Sequence, residues 1–188
     1  FGASIYLVSG TKAREATRFV DTGPTLNGFA YFPGSGFFDD HGTPQSDDDV
    51  EIKPANDKPL IDWLRENVQG SPVITESVAG LYHWSGRFSW NTGLPEVIGW
   101  DWHQTQQRWD YVSLIQQRRA ETNRFYNDGD PAFAREYLRK YNVKYVMVGT
   151  EEYVYGSQQA IDKFASMPEL HEVFRSGKYA IYAVQGLD

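Results

Sequence analysis

The sequence predicts an α/β fold: a single domain in which helices flank a mixed sheet and a β-hairpin lies at the C-terminus. Strand and helix patterns alternate after residue 57, which favours parallel strands joined through helices. The last two strand patterns are separated by Ser176-Gly177, a sequence typical of the turn in an antiparallel hairpin. A chain of 188 residues is also long enough to bury one hydrophobic core.

Helices are predicted where apolar residues recur at helical spacing. Asp57 is placed to cap the first helix, and Gly70 is placed to end it. The third helix opens with Asp130-Pro131, and Asn142 is suited to the left-handed conformation that terminates a helix. The four predicted helices span residues 57–68, 110–126, 130–141 and 157–167.

Strands are predicted by short runs of β-branched and aromatic residues. Val73–Thr75 is expected to be a short buried strand, and Val143–Val148 is a longer one that Gly149 closes. Residues 172–174 and Tyr179–Val184 form the expected hairpin.

The first 56 residues are poorly patterned, and we expect an irregular N-terminal segment with an acidic loop at 37–54, followed by the α/β domain at 57–188. Between residues 39 and 57 there are seven acids and one lysine, a charge of −6 out of the chain's −7. A solvated surface loop explains these charges most simply. Calcium binding by Asp47, Asp48 and Asp49 is the alternative, although the ligand spacing of an EF-hand is missing.

Composition excludes several classes of protein. The chain has no cysteine, which excludes disulfide frameworks, zinc–thiolate sites, iron–sulfur clusters and thiol nucleophiles. Its net charge of −7 argues against a nucleic-acid partner. No run of apolar residues is long enough to span a membrane. Because the chain begins at Phe1 and carries no signal-peptide pattern, we expect it to be a piece of a longer protein.

Aromatic residues make up 15% of the chain, and five of its six tryptophans lie between positions 84 and 109. The stretch 76–108 follows the carboxyl end of the predicted strand Val73–Thr75, where open α/β sheets place their ligands. Its glycines and proline predict a long irregular path, and long loops usually carry function.

Several kinds of site fit these residues. Aromatic rings beside amides and carboxylates suit a sugar, while Arg87 and Arg108 suit a phosphate or a carboxylate. His83, Asp101 and His103 are possible metal ligands, and the two-residue spacing of Asp101 and His103 suits a strand better than a helix. Glu76 with Asp101 is a possible acid/base pair.

The stretch Gly99–Arg108, G-W-D-W-H-Q-T-Q-Q-R, together with the preceding T-G-L-P at 92–95, carries a family resemblance. It resembles the C-terminal soluble part of the prokaryotic YYY membrane proteins, polytopic proteins that carry a domain of unknown function. The resemblance extends from about Thr25 to the C-terminus through residues 25–31, 61–68 and 140–149. The acidic insertion at 37–54 departs from the family pattern, and so does Asn27, which stands where an aspartate is expected.

This family is similar to the GT-C type of membrane glycosyltransferase, which takes sugars from polyprenyl-phosphate donors outside the cytoplasmic membrane. The resemblance implies a domain on the extracytoplasmic face whose partners are upstream transmembrane helices of the same chain, a polyprenyl-phosphate-linked sugar and an acceptor. In such enzymes the catalytic carboxylate lies in a loop between membrane helices. The fragment is therefore expected to be inactive alone and to hold no cofactor, with a divalent metal left open for the full-length protein.

The sequence thus predicts an extracytoplasmic domain that recognises the donor or acceptor of a glycosyltransferase. Two alternatives remain: a free-standing carbohydrate-binding or glycoside-hydrolysing domain that uses Glu76 and Asp101, and a structural domain that docks on membrane helices. The expected substrate-binding residues are Glu76, Tyr82, His83, Trp84, Arg87, Trp100, Asp101, Trp102, His103, Gln107 and Arg108.

Overall fold

The structure is a computed structural model that describes residues 22–39, 50–80 and 83–187. It divides into two units, Phe1–Lys58 and Pro59–Asp188. Asp47, Asp48 and Asp49, the alternative calcium ligands, lie outside the described residues, and so does Tyr82.

The first unit contains a two-stranded antiparallel sheet of β1 (Phe37–Asp39) and β2 (Val50–Ile52), in whose backbone register Phe37 pairs with Ile52. The turn before it is held by Asn27, whose Oδ1 accepts a hydrogen bond from the amide of Phe29 at 3.0 Å. Phe32 is fully buried, and its ring meets that of Phe29 edge-on at 5.1 Å.

The second unit is built on a four-stranded mixed sheet of β3 (Val73–Thr75), β4 (Val143–Val148), β5 (Leu170–Ser176) and β6 (Tyr179–Val184). The strand order is β3-β4-β6-β5, with β3 parallel to β4 and the other pairs antiparallel. Gly177 turns the β5–β6 hairpin with a φ of 60°. The predicted fold class, a mixed sheet flanked by helices with a C-terminal hairpin, is confirmed.

The described helices include four close to the predicted ones: α1 (Pro54–Asn67), α4 (Val112–Asn127), α5 (Pro131–Lys140) and α7 (Gln158–Ser166). Three short helices were not predicted, namely α2 (Arg87–Thr92), α3 (Asp101–Gln107) and α6 (Thr150–Tyr155), and a 3-10 turn at Trp109–Tyr111 precedes α4. Among the described residues, no helix is both long enough and apolar enough to cross a membrane.

Most of the predicted helix ends are correct. The Oδ1 atom of Asp130 accepts a hydrogen bond from the amide of Ala132 at 2.8 Å, directly before Pro131 opens α5. Asn142 has a φ of 49° and ends the same helix as expected. Asp57 is the exception: α1 begins at Pro54, so Asp57 lies inside the first turn instead of capping it.

In the described residues, most of the stretch 76–108 is the irregular path that its glycines and proline predicted, but two short helices that the sequence did not predict interrupt it. These are α2 and α3, and α3 carries both Asp101 and His103, so the expectation that these two residues suit a strand was wrong. Helices of six and seven residues are too short to show an apolar period, and helices this short depend on tertiary contacts for their stability.

The core brings α4 and α5 onto the carboxyl end of β3. The ring of Phe125 on α4 stacks on Tyr137 of α5 at 4.5 Å and on Phe164 of α7 at 5.1 Å. The hydroxyl of Tyr126 donates to the carbonyl of Thr75 at 2.8 Å, and the hydroxyl of Tyr137 lies 2.8 Å from that of Thr75. These buried contacts hold the end of β3 and therefore the residue that follows it, Glu76.

Candidate functional site

A buried ion-pair network lies directly after β3. The Arg87 side chain has no exposed surface, and its two terminal nitrogens contact Glu76 Oε2 at 3.0 Å and Glu152 Oε2 at 2.6 Å. Both carboxylates are also buried. A guanidinium can bridge two carboxylates because its N–H groups diverge in one plane.

Glu76 anchors the start of α2 through the backbone. Its Oε2 accepts the amide of Gly86 at 3.0 Å, and its Oε1 accepts the amides of Phe88 at 3.1 Å and Ser89 at 3.3 Å. The first amides of a helix lack partners within it, so a carboxylate there satisfies them. Gly86 adopts a φ of 86°, which a side chain would strain.

Glu152 does the same for the start of α6. Its Oε2 accepts the amide of Gly149 at 2.6 Å, and its Oε1 accepts the amide of Ser77 at 2.7 Å. The neighbouring Glu151 accepts the amide of Trp84 at 3.0 Å. Glu151 and Glu152 therefore hold the segment after β3 at two positions, Trp84 and Ser77.

An open pocket of about 360 Å³ lies between α2 and α3. Its aromatic walls are Trp90 and Trp100, whose rings meet edge-on at 5.1 Å, and His103, whose ring lies 5.4 Å from that of Trp100. The remaining lining residues are Ser85, Gly86, Ser89, Glu96 and Gln104. The volume lies at the lower end of the range for small-ligand sites, and the lining combines apolar faces with a few polar groups, as such sites do.

Glu96 supplies the carboxyl group of the pocket. Burial raises the pKa of Glu96 well above 4.5, the nearby Glu76 carboxyl raises it further, and Arg87 opposes the shift. Burial likewise raises the pKa of Glu76 to about 7, although Arg87 lowers it. Because the carboxyl groups of Glu76 and Glu96 lie close together in a buried place, protonation of Glu96 is favoured. A neutral carboxyl group can both donate and accept a hydrogen bond.

Gly99 allows Glu96 to take this position. A Cβ atom added at Gly99 would lie 2.7 Å from Glu96 Oε1, which is too close for any real contact. The backbone of Glu96 is fixed from the other side by β3, since Ile74 and Glu96 form a parallel bridge. The pocket carboxyl is thus placed by the sheet and given room by a glycine.

The structure brings only part of the predicted set into this pocket. Of the expected residues, Trp100 and His103 line it. Glu76 and Arg87 lie beneath it in the buried network, and the buried Trp84 contacts the pocket through the ring of Trp90 at 5.7 Å.

The other predicted residues lie elsewhere. His83 approaches the hydroxyl of Tyr155 with its Nδ1 at 3.1 Å. Asp101 is buried and its Oδ2 pairs with Arg119 at 2.6 Å. The side chains of Trp102, Gln107 and Arg108 are exposed on the outer side of α3 and at its end.

The geometry of the described residues does not support two of the sites considered from the sequence, the metal site and the acid/base pair. In the described ranges no group of three or more histidine and carboxylate side chains could hold a metal ion, so His83, Asp101 and His103 do not form the site considered above. The acid/base pair of Glu76 and Asp101 would require both to reach a substrate, yet both are buried in ion pairs.

Glu96, Trp90 and Gln104 were not among the predicted site residues. All three lie in the stretch 76–108 that the sequence singled out, but nothing in the sequence separates Glu96 from Glu76 or Asp101. The buried position of Glu96 beside a second carboxyl is visible only in the structure.

Comparisons with known proteins add little to the assignment of the pocket. No family model matches the chain, and no curated protein matches it. Solved structures include a similar domain. It is the C-terminal globular domain of an oligosaccharyltransferase from Archaeoglobus fulgidus, 12% identical, with a TM-score of 0.44, and the match covers 68% of this chain and 95% of that one. A similarity of this size carries no argument about function.

Proposed function

We propose that this chain is a carbohydrate-recognition domain and that the pocket between α2 and α3 binds a sugar ring. The observation that carries the proposal is the placement of two tryptophan rings, Trp90 and Trp100, beside a carboxyl group whose pKa is raised. The apolar face of a pyranose packs on an indole, and its hydroxyls need partners that donate and accept. Glu96, His103 and Gln104 supply such partners.

The lining favours a neutral ligand over an anion. No lysine or arginine belongs to the described lining, and Arg87 beneath it has both ends occupied by carboxylates. A phosphate would meet Glu96 without a compensating cation. We therefore infer that the pocket takes the sugar or polyol part of a substrate, and that Arg108, which is exposed at the end of α3, is the expected residue that remains available to a phosphate.

The wider context of the proposal rests on the sequence of Gly99–Arg108 and its resemblance to the YYY membrane proteins. In that context the chain is an extracytoplasmic domain of a polytopic GT-C type glycosyltransferase, and the pocket recognises the sugar of a polyprenyl-phosphate donor or of an acceptor. The catalytic carboxylate then belongs to another part of the protein, and this chain has no transferase activity alone.

The first test is a titration of the 188-residue chain with monosaccharides, methyl glycosides and short oligosaccharides, followed by calorimetry. We expect at least one sugar to bind, Trp100→Ala to lose that binding, and Trp109→Ala to keep it as a control tryptophan outside the pocket. Gly99→Ala should weaken binding as well, because it displaces Glu96. If no sugar binds, or if Trp100→Ala binds as the native chain does, the proposal is wrong.

The second test separates recognition from hydrolysis. The isolated chain should hydrolyse none of a panel of aryl glycosides, whereas a hydrolase that uses Glu76 and Asp101 would do so. In the full-length membrane protein, alanine at Trp100 and His103 should abolish glycosyl transfer without loss of folded protein, and alanine at Trp102 tests whether the outer side of α3 also takes part. Unchanged transfer in the Trp100 and His103 variants would refute the assignment.

A further inference from the structure

Glu96 lines the pocket, and its carboxyl group is hydrogen-bonded to that of Glu76. A hydrogen bond between two carboxyl groups requires a proton, so one member of the pair is neutral. The surroundings of each group decide which member holds the proton, and the answer fixes what Glu96 offers to a sugar.

Both oxygens of Glu76 already accept hydrogen bonds. Its Oε1 accepts the amides of Phe88 and Ser89, and its Oε2 accepts the amide of Gly86 and an N–H of Arg87. A proton on Glu76 would turn one of these oxygens into a donor that faces other donors, and it would weaken the ion pair with Arg87. Glu76 is therefore the ionised member of the pair.

Glu96 is the protonated member. Its Oε2 atom is fully buried, and no donor in the described part of the chain reaches it. Burial raises the pKa of Glu96 well above 4.5, and the Glu76 carboxyl raises it further. Glu96 therefore donates its proton to Glu76 and has no second proton for a ligand.

The guanidinium below the pocket cannot replace this proton. Arg87 places its two terminal nitrogens on Glu76 and Glu152, at 3.0 Å and 2.6 Å, so Glu96 is a third carboxyl beside one cation. Arg87 opposes the rise in the pKa of Glu96 from a distance, and the other titratable side chain of the described lining is His103 on α3. An ionised Glu96 would therefore stand beside Glu76 without a cation of its own, which burial makes costly.

The Oε1 atom of Glu96 lies against the pocket lining. A Cβ atom added at Gly86, which lines the pocket, would be 3.5 Å from this oxygen, and one added at Gly99 would be 2.7 Å away. Because the proton of Glu96 is given to Glu76, this oxygen can only accept. The ligand group that meets it must therefore be a donor, such as a sugar hydroxyl or the N–H of an acylated amino sugar.

We propose that the sugar places a hydroxyl or N–H donor on Glu96, and that the pocket binds it only while Glu96 holds the proton that it shares with Glu76. The proposal rests on the proposed function of the pocket. When Glu96 ionises, Glu76 repels it, and the carboxylate gains hydration by turning into the open pocket. There it takes the space of the sugar, so ionisation of Glu96 and sugar binding exclude each other.

The test is calorimetric titration of the 188-residue chain with the monosaccharides and methyl glycosides named above, from pH 5 to pH 9. We expect the affinity of the native chain to fall about tenfold per pH unit once Glu96 is ionised, because only the neutral form binds. NMR of a chain whose glutamate carboxyls are labelled with ¹³C follows the titration of Glu96, and Glu96→Gln assigns the signal. The affinity should begin to fall at the pH where that signal titrates, well above 4.5.

Glu96→Gln is the decisive variant. A glutamine side chain accepts through its carbonyl oxygen and donates to Glu76 through its amide, as neutral glutamic acid does, but it cannot ionise. One pH unit above the titration of Glu96, the variant should bind about tenfold more tightly than the native chain.

Two controls isolate the effect of Glu96. Glu121→Gln changes a carboxyl on α4 that pairs with Lys140 outside the pocket, and it should keep the native pH profile. His103 is present in all these chains, so its own titration cancels from the comparison. Circular dichroism checks that each variant is folded, and the match between NMR titration and affinity in the native chain needs no variant that binds.

The outcomes separate this proposal from the proposed function. If a sugar binds and its affinity does not fall as Glu96 titrates, or if Glu96→Gln follows the native profile, the pocket binds sugar but Glu96 does not control it as described. Titration of Glu96 near pH 4.5 would likewise overturn the shared proton. If no sugar binds at any pH, the proposed function is wrong and the role of Glu96 is wrong with it.

Discussion

Replacement of Arg87 by methionine should destabilise the fold strongly. Both ion pairs of Arg87 are fully buried, at 3.0 Å to Glu76 and 2.6 Å to Glu152, so the variant leaves two carboxylates without their cation. Breaking a buried pair in this way costs about 3–5 kcal/mol. For a domain of this size, that loss lowers the melting temperature by roughly 6–20 °C.

The pH dependence of this variant has a definite sign. Arg87 lowers the pKa of Glu76, so its removal raises that pKa further above the ordinary value of 4.5. A carboxyl whose pKa is higher in the folded state binds more protons there, and stability falls as the pH rises through the interval between the unfolded and folded values. The loss caused by Arg87→Met should therefore be larger at pH 8 than at pH 5.

The measurement is urea denaturation followed by circular dichroism at both pH values. Arg124→Met is the matched control, because its ion pair with Asp128 at 2.9 Å is about half exposed. We expect the control to unfold at nearly the native urea concentration. The buried network does not stabilise the fold as described if Arg87→Met unfolds at the same urea concentration as Arg124→Met at pH 8. The same conclusion follows if Arg87→Met loses more stability at pH 5 than at pH 8.

The remaining predictions concern Glu96, Asn142 and Asp130. Burial raises the pKa of Glu96 well above 4.5, so the contribution of Glu96 to native stability should fall as the pH rises above about 4.5. Glu96→Gln should therefore melt higher than the native chain at pH 8 but not at pH 4. A variant that melts lower at pH 8 contradicts this. Asn142 has a φ of 49°, so Asn142→Val should cost about 1–2 kcal/mol while Asn142→Gly is tolerated, as urea midpoints will show. Equal midpoints would exclude strain at this position. Asp130→Ala removes the N-cap of α5 and should lower the free energy of unfolding by about 1 kcal/mol. Asp130→Ser should keep most of that stability, and thermal melting of the two variants measures the difference.

The sequence predicted those elements whose signals are local. The cap at Asp130, the terminator Asn142 and the hairpin turn at Gly177 each act within a few residues, and the structure confirms them. The short helix α2 was missed because its first amides are satisfied by Glu76, which lies 12 residues before Phe88 and leaves no pattern at the helix start. Helix α6 does carry a local signal, since Glu152 accepts the amide of Gly149 three residues before it, but its six residues are too few to show an apolar period.

Composition and the clustering of tryptophans also identified the region of the candidate site. The pocket falls inside the predicted stretch 76–108, and two of its aromatic walls, Trp100 and His103, were expected there. What the sequence could not rank was the role of each carboxylate. Glu76, Glu96 and Asp101 look alike in the chain, but only Glu96 lines the pocket.

The sequence alone determined the fold class, most helix ends and the region where the aromatic side chains gather, because propensities, caps and turns are properties of short segments. Only the tertiary structure decided that Arg87 meets Glu152, 65 residues away, and that Trp102 faces outward while Trp100 faces the pocket. Burial and charge compensation depend on which segments pack together. The chemistry of the buried carboxyls was therefore decided by packing and not by their neighbours in the chain.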